Sequence, residues 1–173
     1  MGMFTPARNP VTTDLGLLLI RGMVGWIFVY HGSQKLFSWF GGKGMGGITE
    51  SIRGMNLPYL EPELFAQLAA WSEFGGGILL IIGLFARIAV VPLAITMAIA
   101  VIKVHWVNGF ALSKGGIEFA LLLGVLCIGL LFTGPGRISF DGLFFGRFGR
   151  PRPRPLPEFE DRRGHGHGGR APA

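Results

Sequence analysis

Residues 88–132 read "IAVVPLAITMAIAVIKVHWVNGFALSKGGIEFALLLGVLCIGLLF". Two apolar blocks, 88–102 and 119–132, enclose a short segment that carries Lys103, His105, Lys114 and Glu118. Neither block alternates at a period of two or keeps its apolar residues to one face at 3.6, and unbroken apolar blocks of this kind mark helices that cross a bilayer. The "NGF" at 108–110 breaks the helix between them. The stretch is therefore a hairpin of two membrane helices with ionisable residues at its tip. Charge beside such helices costs free energy unless it is paired, wetted or put to use.

The rest of the 173-residue chain agrees: half of it is hydrophobic, 15% is charged, and the mean hydropathy is +0.49. Its 29 glycines are too many for a soluble helical domain, but in membrane helices they let backbones approach closely. Four spans are predicted, at 15–37, 62–85, 88–107 and about 115–133. Asp14 is placed to cap the first helix, Pro62 suits the start of the second, and "GPG" at 134–136 ends the fourth. Arg87 falls in a turn too short for anything but an antiparallel hairpin, and Pro92 lies one turn into the third helix. Between the first two spans, residues 38–61 form a glycine-rich loop. Within it "ITESIRGM" reads as a short interfacial helix ending at Gly54, and Pro58 keeps the approach to the second span extended. No small-residue cleavage site follows the first apolar run, and Arg21 interrupts it, so the segment is expected to be retained. The expected fold is all-α: an integral membrane four-helix bundle of antiparallel up-down spans. Residues 1–13 lead in, 14–141 form the bundle, and 142–173 form a disordered Arg/Pro/Gly-rich tail.

The net charge of +6 and a pI near 10.3 invite a nucleic-acid reading. The arginines, however, gather at Arg137, Arg147, Arg150, Arg152, Arg154, Arg162, Arg163 and Arg170, as the positive-inside rule requires of a cytoplasmic flank. Both termini are thus expected inside, with loops 38–61 and 108–114 outside, and no nucleic-acid partner. His165 and His167 read as part of a flexible linker rather than a metal site. The single cysteine, Cys127, excludes an internal disulfide or a Cys-x-x-Cys pair and reads as a small buried hydrophobe. "GGKGMGG" at 41–47 lacks the spacing of a phosphate loop.

The candidate polar network is Arg21, His31, Lys35, Glu73, Lys103, His105 and Glu118. At 100° per residue, with Arg21 at 0°, Gly25 falls at about 40°, Phe28 at about 340°, Gly32 at about 20° and Lys35 at about 320°, with His31 at the edge of that arc near 280°. Ala69, Glu73, Gly76, Gly77 and Leu80 share a stripe on the second span. Small residues accompany charge on both helices, so the charges are expected to point inward. The expected pairs are Arg21 with Glu73, and Lys103 or Lys35 with Glu118; unpaired, each charge would cost several kcal/mol. Lys35 and Lys103 also lie close enough to helix ends to snorkel to the headgroups. Trp39 and Trp106 fit an interfacial aromatic belt, whereas Trp26 and Trp71 are expected to pack. A haem between His31 and His105 is a weak reading, and a zinc site weaker still, since a closed zinc site takes four ligands. No metal is expected.

Taken in order, "LLLIRGMVGWIFVYHGSQKLF", "WSEFGGGILLIIGLFAR", "KVHWVNGF", "GGIEFALLL" and "TGPGRISFD" resemble the DoxX family of small four-helix bacterial membrane proteins, over roughly residues 14–141. The resemblance implies a multi-pass protein of the bacterial inner membrane. It also implies membership of a membrane-associated redox complex, quinone-linked or engaged in oxidative stress, with protein partners and a homo-oligomer among the expected assemblies. The polar network would then line a pocket for a quinone or similar apolar carbonyl compound. Lys35 or His31 would donate to its oxygens, and Glu118 or Glu73 would relay protons. Two other functions fit the residues: a non-catalytic scaffold that recruits a soluble enzyme, and transport of a small solute or protons.

Overall fold

The structure, a computed structural model, describes residues 10–55 and 61–144. The readings made for the first nine residues, for Pro58, and for the tail from Arg147 through His165 and His167 lie outside the described residues. Among the described residues the regular elements are all helical: α1 Pro10–Leu36, α2 Gly44–Arg53, α3 Pro62–Ile82, α4 Ala86–Ile99, α5 Glu118–Thr133 and α6 Phe140–Phe144. Three helical runs, Val11–Leu36, Pro62–Ile82 and Ala86–Asn108, are long and apolar enough to cross a membrane; α5 is apolar but shorter, at 16 residues. Leu19, Met23, Ile88, Val125 and Phe132 are each more than half exposed, so the bundle offers an apolar exterior such as lipid covers. Trp26 and Trp71, expected to pack, are 59% and 57% exposed and belong to that exterior.

Local chemistry sets the helix ends. Pro62 starts α3, where its missing N–H is no loss. Gly83, at φ 73°, ends α3 in the left-handed conformation, and the N–H groups of Gly83 and Leu84 turn back onto the carbonyls of Leu80 and Leu79 at 3.1 and 3.0 Å. The second span is thus three residues shorter than expected. α4 does not continue as a regular helix to Val107: it widens into π-helical turns over Ala100–His105 and tightens into a 3-10 turn over Trp106–Asn108. Hydropathy is blind to that change, because it reports how apolar a segment is and not how its backbone hydrogen bonds are spaced. Gly134, at φ 74°, ends α5 as expected. The short helix in the first loop is longer than "ITESIRGM" suggests, beginning at Gly44. Asp14 is not a cap, since α1 begins at Pro10 and Asp14 lies inside it.

The α1–α3 contact is the closest in the bundle. A Cβ built on Gly25 would lie 2.7 Å from the Gly77 carbonyl oxygen, and one on Gly77 would lie 2.6 Å from that of Gly25. Further along, Gly32 lies against the backbone of Phe74. As α1 advances, its neighbours on α3 recede in number, so the two helices run antiparallel. The predicted face of α1 is the one used: Arg21, Gly25, Phe28 and Gly32 are buried. α3 packs on α4 through Gly76 and Leu93, and α4 packs on α5 through Met97 and Gly124. Val90, Leu93, Leu123, Cys127 and Leu130 fill the seam between α4 and α5. α2 lies against α1 and α3, tied to α3 by Arg53, which bonds Glu63 at 2.6 Å and Glu50 at 2.8 Å.

Candidate functional site

The polar residues divide between the two ends of the bundle. At the end where α1 begins and α3 gives way to α4, Arg21 is 2% exposed and donates from Nη2 to the backbone carbonyl of Ile138. Its Nε and Nη1 are buried without a hydrogen-bond partner among the described residues. Gly83 leaves room for the guanidinium, because any side chain there would collide with it. Asp141 accepts hydrogen bonds from Phe85 N at 2.8 Å and Ala86 N at 3.0 Å, capping α4 from across the fold. Asp14 accepts from Arg137 N at 2.9 Å. Three acidic and basic side chains thus hold the exit segment "TGPGRISFD" against α1 and the α3–α4 turn. Sequence reading quoted that motif but assigned Asp141 no role, since the backbone groups it caps lie 55 and 56 residues away.

The opposite end holds the charge pair. Glu73, 1% exposed, bonds Lys35 across the α1–α3 contact, and the Lys35 side chain is 21% exposed. The expected Arg21–Glu73 pair does not form. Antiparallel packing sets Arg21 level with Gly83, ten residues along α3 from Glu73, or about 15 Å of helix. The expected pairing of Glu118 with Lys103 or Lys35 is absent too. Glu118 accepts from Leu112 N at 2.8 Å and organises its own loop, and Lys103 is exposed.

A cavity of about 360 Å³ opens beside the Lys35–Glu73 pair. Four of the seven sequence candidates line it, His31, Lys35, Glu73 and His105; Arg21, Lys103 and Glu118 do not. His31 and Lys35 stand one turn apart on α1, which brings both to the same wall. Nδ1 of His31 lies 3.2 Å from Gln34 Oε1, and Nδ1 of His105 lies 2.7 Å from the Gly115 carbonyl oxygen, so each ring is held by one nitrogen. The rest of the lining is largely apolar, with Phe28, Phe65, Phe119 and Met97 prominent. Glu73 Oε2 is buried there with no hydrogen-bond partner among the described residues. The contribution of α2, through Ile48, Ser51 and Ile52, was not foreseen, since a loop helix in sequence gives no sign of folding back over the bundle. Among the described residues no three His, Cys, Asp or Glu side chains gather as a metal site.

These features define an α-helical membrane protein with a polar pair set in the wall of an apolar cavity. The chain belongs to the DoxX family, whose profile matches residues 16–106, from the first turns of α1 through Trp106. An uncharacterised protein of Haemophilus influenzae is 33% identical over 133 residues, covering 75% of this chain and 90% of the relative. A Bacillus subtilis protein named "Putative oxidoreductase CatD" is 33% identical over 132 residues, 76% of this chain and 89% of the relative. An uncharacterised membrane protein of Mycobacterium tuberculosis is 32% identical over 142 residues, 72% of this chain and 78% of the relative. No solved structure gives a significant match.

Proposed function

We propose that this chain is the membrane subunit of a redox complex, and that its cavity takes a quinone or a similar apolar carbonyl compound. One observation carries the reading. An ion pair forms part of an apolar wall, and the second, buried oxygen of its carboxylate has no hydrogen-bond partner among the described residues. A buried polar atom of that kind is costly unless something in the cavity meets it. The volume suits a ring compound, and an apolar cavity with a few convergent polar groups is the usual form of a small-molecule site. Lys35 donates to a carbonyl oxygen, His31 does so from Nε2 as an imidazolium, its Nδ1–H being turned to Gln34 Oε1, and Glu73 exchanges protons with it. Electrons come from a partner subunit. Kinship with a protein named as an oxidoreductase supports the redox class.

In this reading α5 is the fourth span, antiparallel to α4, and residues 14–141 form the membrane domain in the bacterial inner membrane. The end that carries Arg87 and Arg137 faces the cytoplasm, and both termini lie there. The Arg-rich tail contributes to partner recruitment.

The test is titration of the purified protein with a naphthoquinone analogue, followed by quenching of tryptophan fluorescence. Binding should be lost in the Lys35→Met/Glu73→Gln variant and retained in Arg21→Lys and Glu118→Gln, whose side chains lie outside the cavity. Equal binding by all four proteins would remove the cavity from the function. Copurification of partners that survives deletion of residues 147–173 would remove the tail from recruitment.

A further inference from the structure

The main cavity does not end at His31 and Lys35. A second cavity of about 250 Å³ adjoins it, sharing His31, Lys35 and Ile48 and continuing along Gln34, Gly41, Gly42 and Lys43. The two differ in chemistry. The first is walled mostly by apolar side chains, while the second is walled by two lysines, an imidazole, an amide, glycine backbone and Ile48. The two adjoin at those shared residues, the first largely apolar and the second largely polar.

Its electrostatics are uneven. Lys35 is neutralised by Glu73. Glu50, Glu63 and the Arg53 they share do not line the polar cavity. Lys43 is exposed and makes no ion pair among the described residues. Of the charged side chains lining the polar cavity, Lys43 is therefore the one without a counter-charge, beside an imidazole that Gln34 holds through Nδ1. A charge-lined cleft with low-dielectric walls concentrates ions of opposite sign.

The geometry points to an anion subsite at Lys43 and His31, and so to a ligand with an aromatic body and an oxyanion at one end. This rests on the reading of the main cavity as the site of an apolar ring compound, and it specifies that compound as an aromatic acid or an acidic quinone. The rings of Phe28, Phe65 and Phe119 cover the body, and Lys43 meets the oxyanion, joined by Nε2–H of His31 when that ring is an imidazolium. A neutral ring compound would fill the apolar cavity alone.

The discriminating measurement compares anthraquinone-2-sulfonate with neutral 2-(hydroxymethyl)anthraquinone, both titrated into the full-length protein in phosphatidylcholine nanodiscs. One exposed lysine is worth about 1.5- to fivefold in affinity for a unit anion at low salt. The sulfonate should bind tighter by that factor, and Lys43→Gln should abolish the preference while leaving the neutral compound's affinity unchanged. The preference should also fade towards 1 M salt, where charges are screened within about 3 Å. Equal binding of the two compounds, or a preference that survives Lys43→Gln, overturns the inference and leaves the main cavity's role standing. Binding of neither removes both. Displacement of the sulfonate by phosphatidylglycerol, but not by phosphatidylcholine, would assign the subsite to a lipid headgroup and overturn the aromatic ligand. Lys43 lies on an exposed loop, so the variant tests binding rather than folding.

Discussion

Replacing Lys35 by methionine keeps the stem and removes the ammonium. Glu73, 1% exposed, then holds both carboxylate oxygens in the interior without a counter-charge, since Oε2 has no partner among the described residues even now. Removing one member of a buried pair costs about 3–5 kcal/mol. Because the Lys35 side chain is 21% exposed and the cavity beside it can admit water, the lower end applies, at about 3 kcal/mol. The reverse change, Glu73→Met, strands a lysine that can swing toward the polar cavity, and should cost only about 1–2 kcal/mol. Methionine at both positions should return stability to within about 1 kcal/mol of wild type, because buried ion pairs are often matched by apolar side chains of similar volume. The double-mutant cycle therefore predicts a coupling of about 3–5 kcal/mol, read from unfolding in mixed micelles of dodecyl maltoside and SDS. Neutral hydrogen bonds between membrane helices couple by about 0.6 kcal/mol on average and by no more than about 1.7. A coupling below about 1 kcal/mol, or equal losses for the two single variants, would refute the claim that the pair is buried and charged.

Gly25→Ala pushes a Cβ to 2.7 Å from the Gly77 carbonyl and should destabilise by more than about 2 kcal/mol, whereas Gly22→Ala, with nothing within 4 Å, should be neutral or stabilising by up to about 1 kcal/mol, both read in the same micelle titration. Asp141→Ala uncaps α4 and should cost about 1–2 kcal/mol while leaving quinone-analogue affinity unchanged, as measured by fluorescence quenching. Cys127, with no exposed surface, should resist a polar maleimide in the folded protein and label stoichiometrically in SDS, as read by mass spectrometry.

The helices were legible because lipid demands long apolar runs and tolerates glycine, and both signals are strong in a single sequence. The inward face of α1 was legible too, since a helical wheel places Arg21, Gly25, Phe28 and Gly32 on one side whatever they meet. The partners were not. Which carboxylate meets which cation depends on the register between antiparallel helices, and a wheel carries no register. Arg21 and Lys35 share a face but lie 14 residues apart, about 21 Å of helix, so only one of them could reach Glu73. The π turns, the fold-back of α2 and the reach of Asp141 are likewise contacts between distant segments, which local patterning does not encode.

The two ends of the bundle use charge for different purposes, and the hydrogen bonds say which. Asp14, Arg21 and Asp141 bond to backbone groups: Arg137 N, Ile138 O, and the N–H groups that open α4. Those side chains cap the first N–H groups of α4 and tie the exit segment to α1, so the charges there stabilise the fold. Lys35 and Glu73 bond to each other and to no backbone group among the described residues. Two apolar side chains in their place would leave no backbone group stranded. Stability therefore gives no reason for the pair to be ionic, and what remains is the chemistry it offers to the cavity. If so, substitutions at the two ends must separate cleanly: those at Arg21 and Asp141 should lower stability and spare ligand affinity, and the double methionine variant should spare stability and abolish affinity. A double variant that folds and still binds would leave the pair without a purpose in either account.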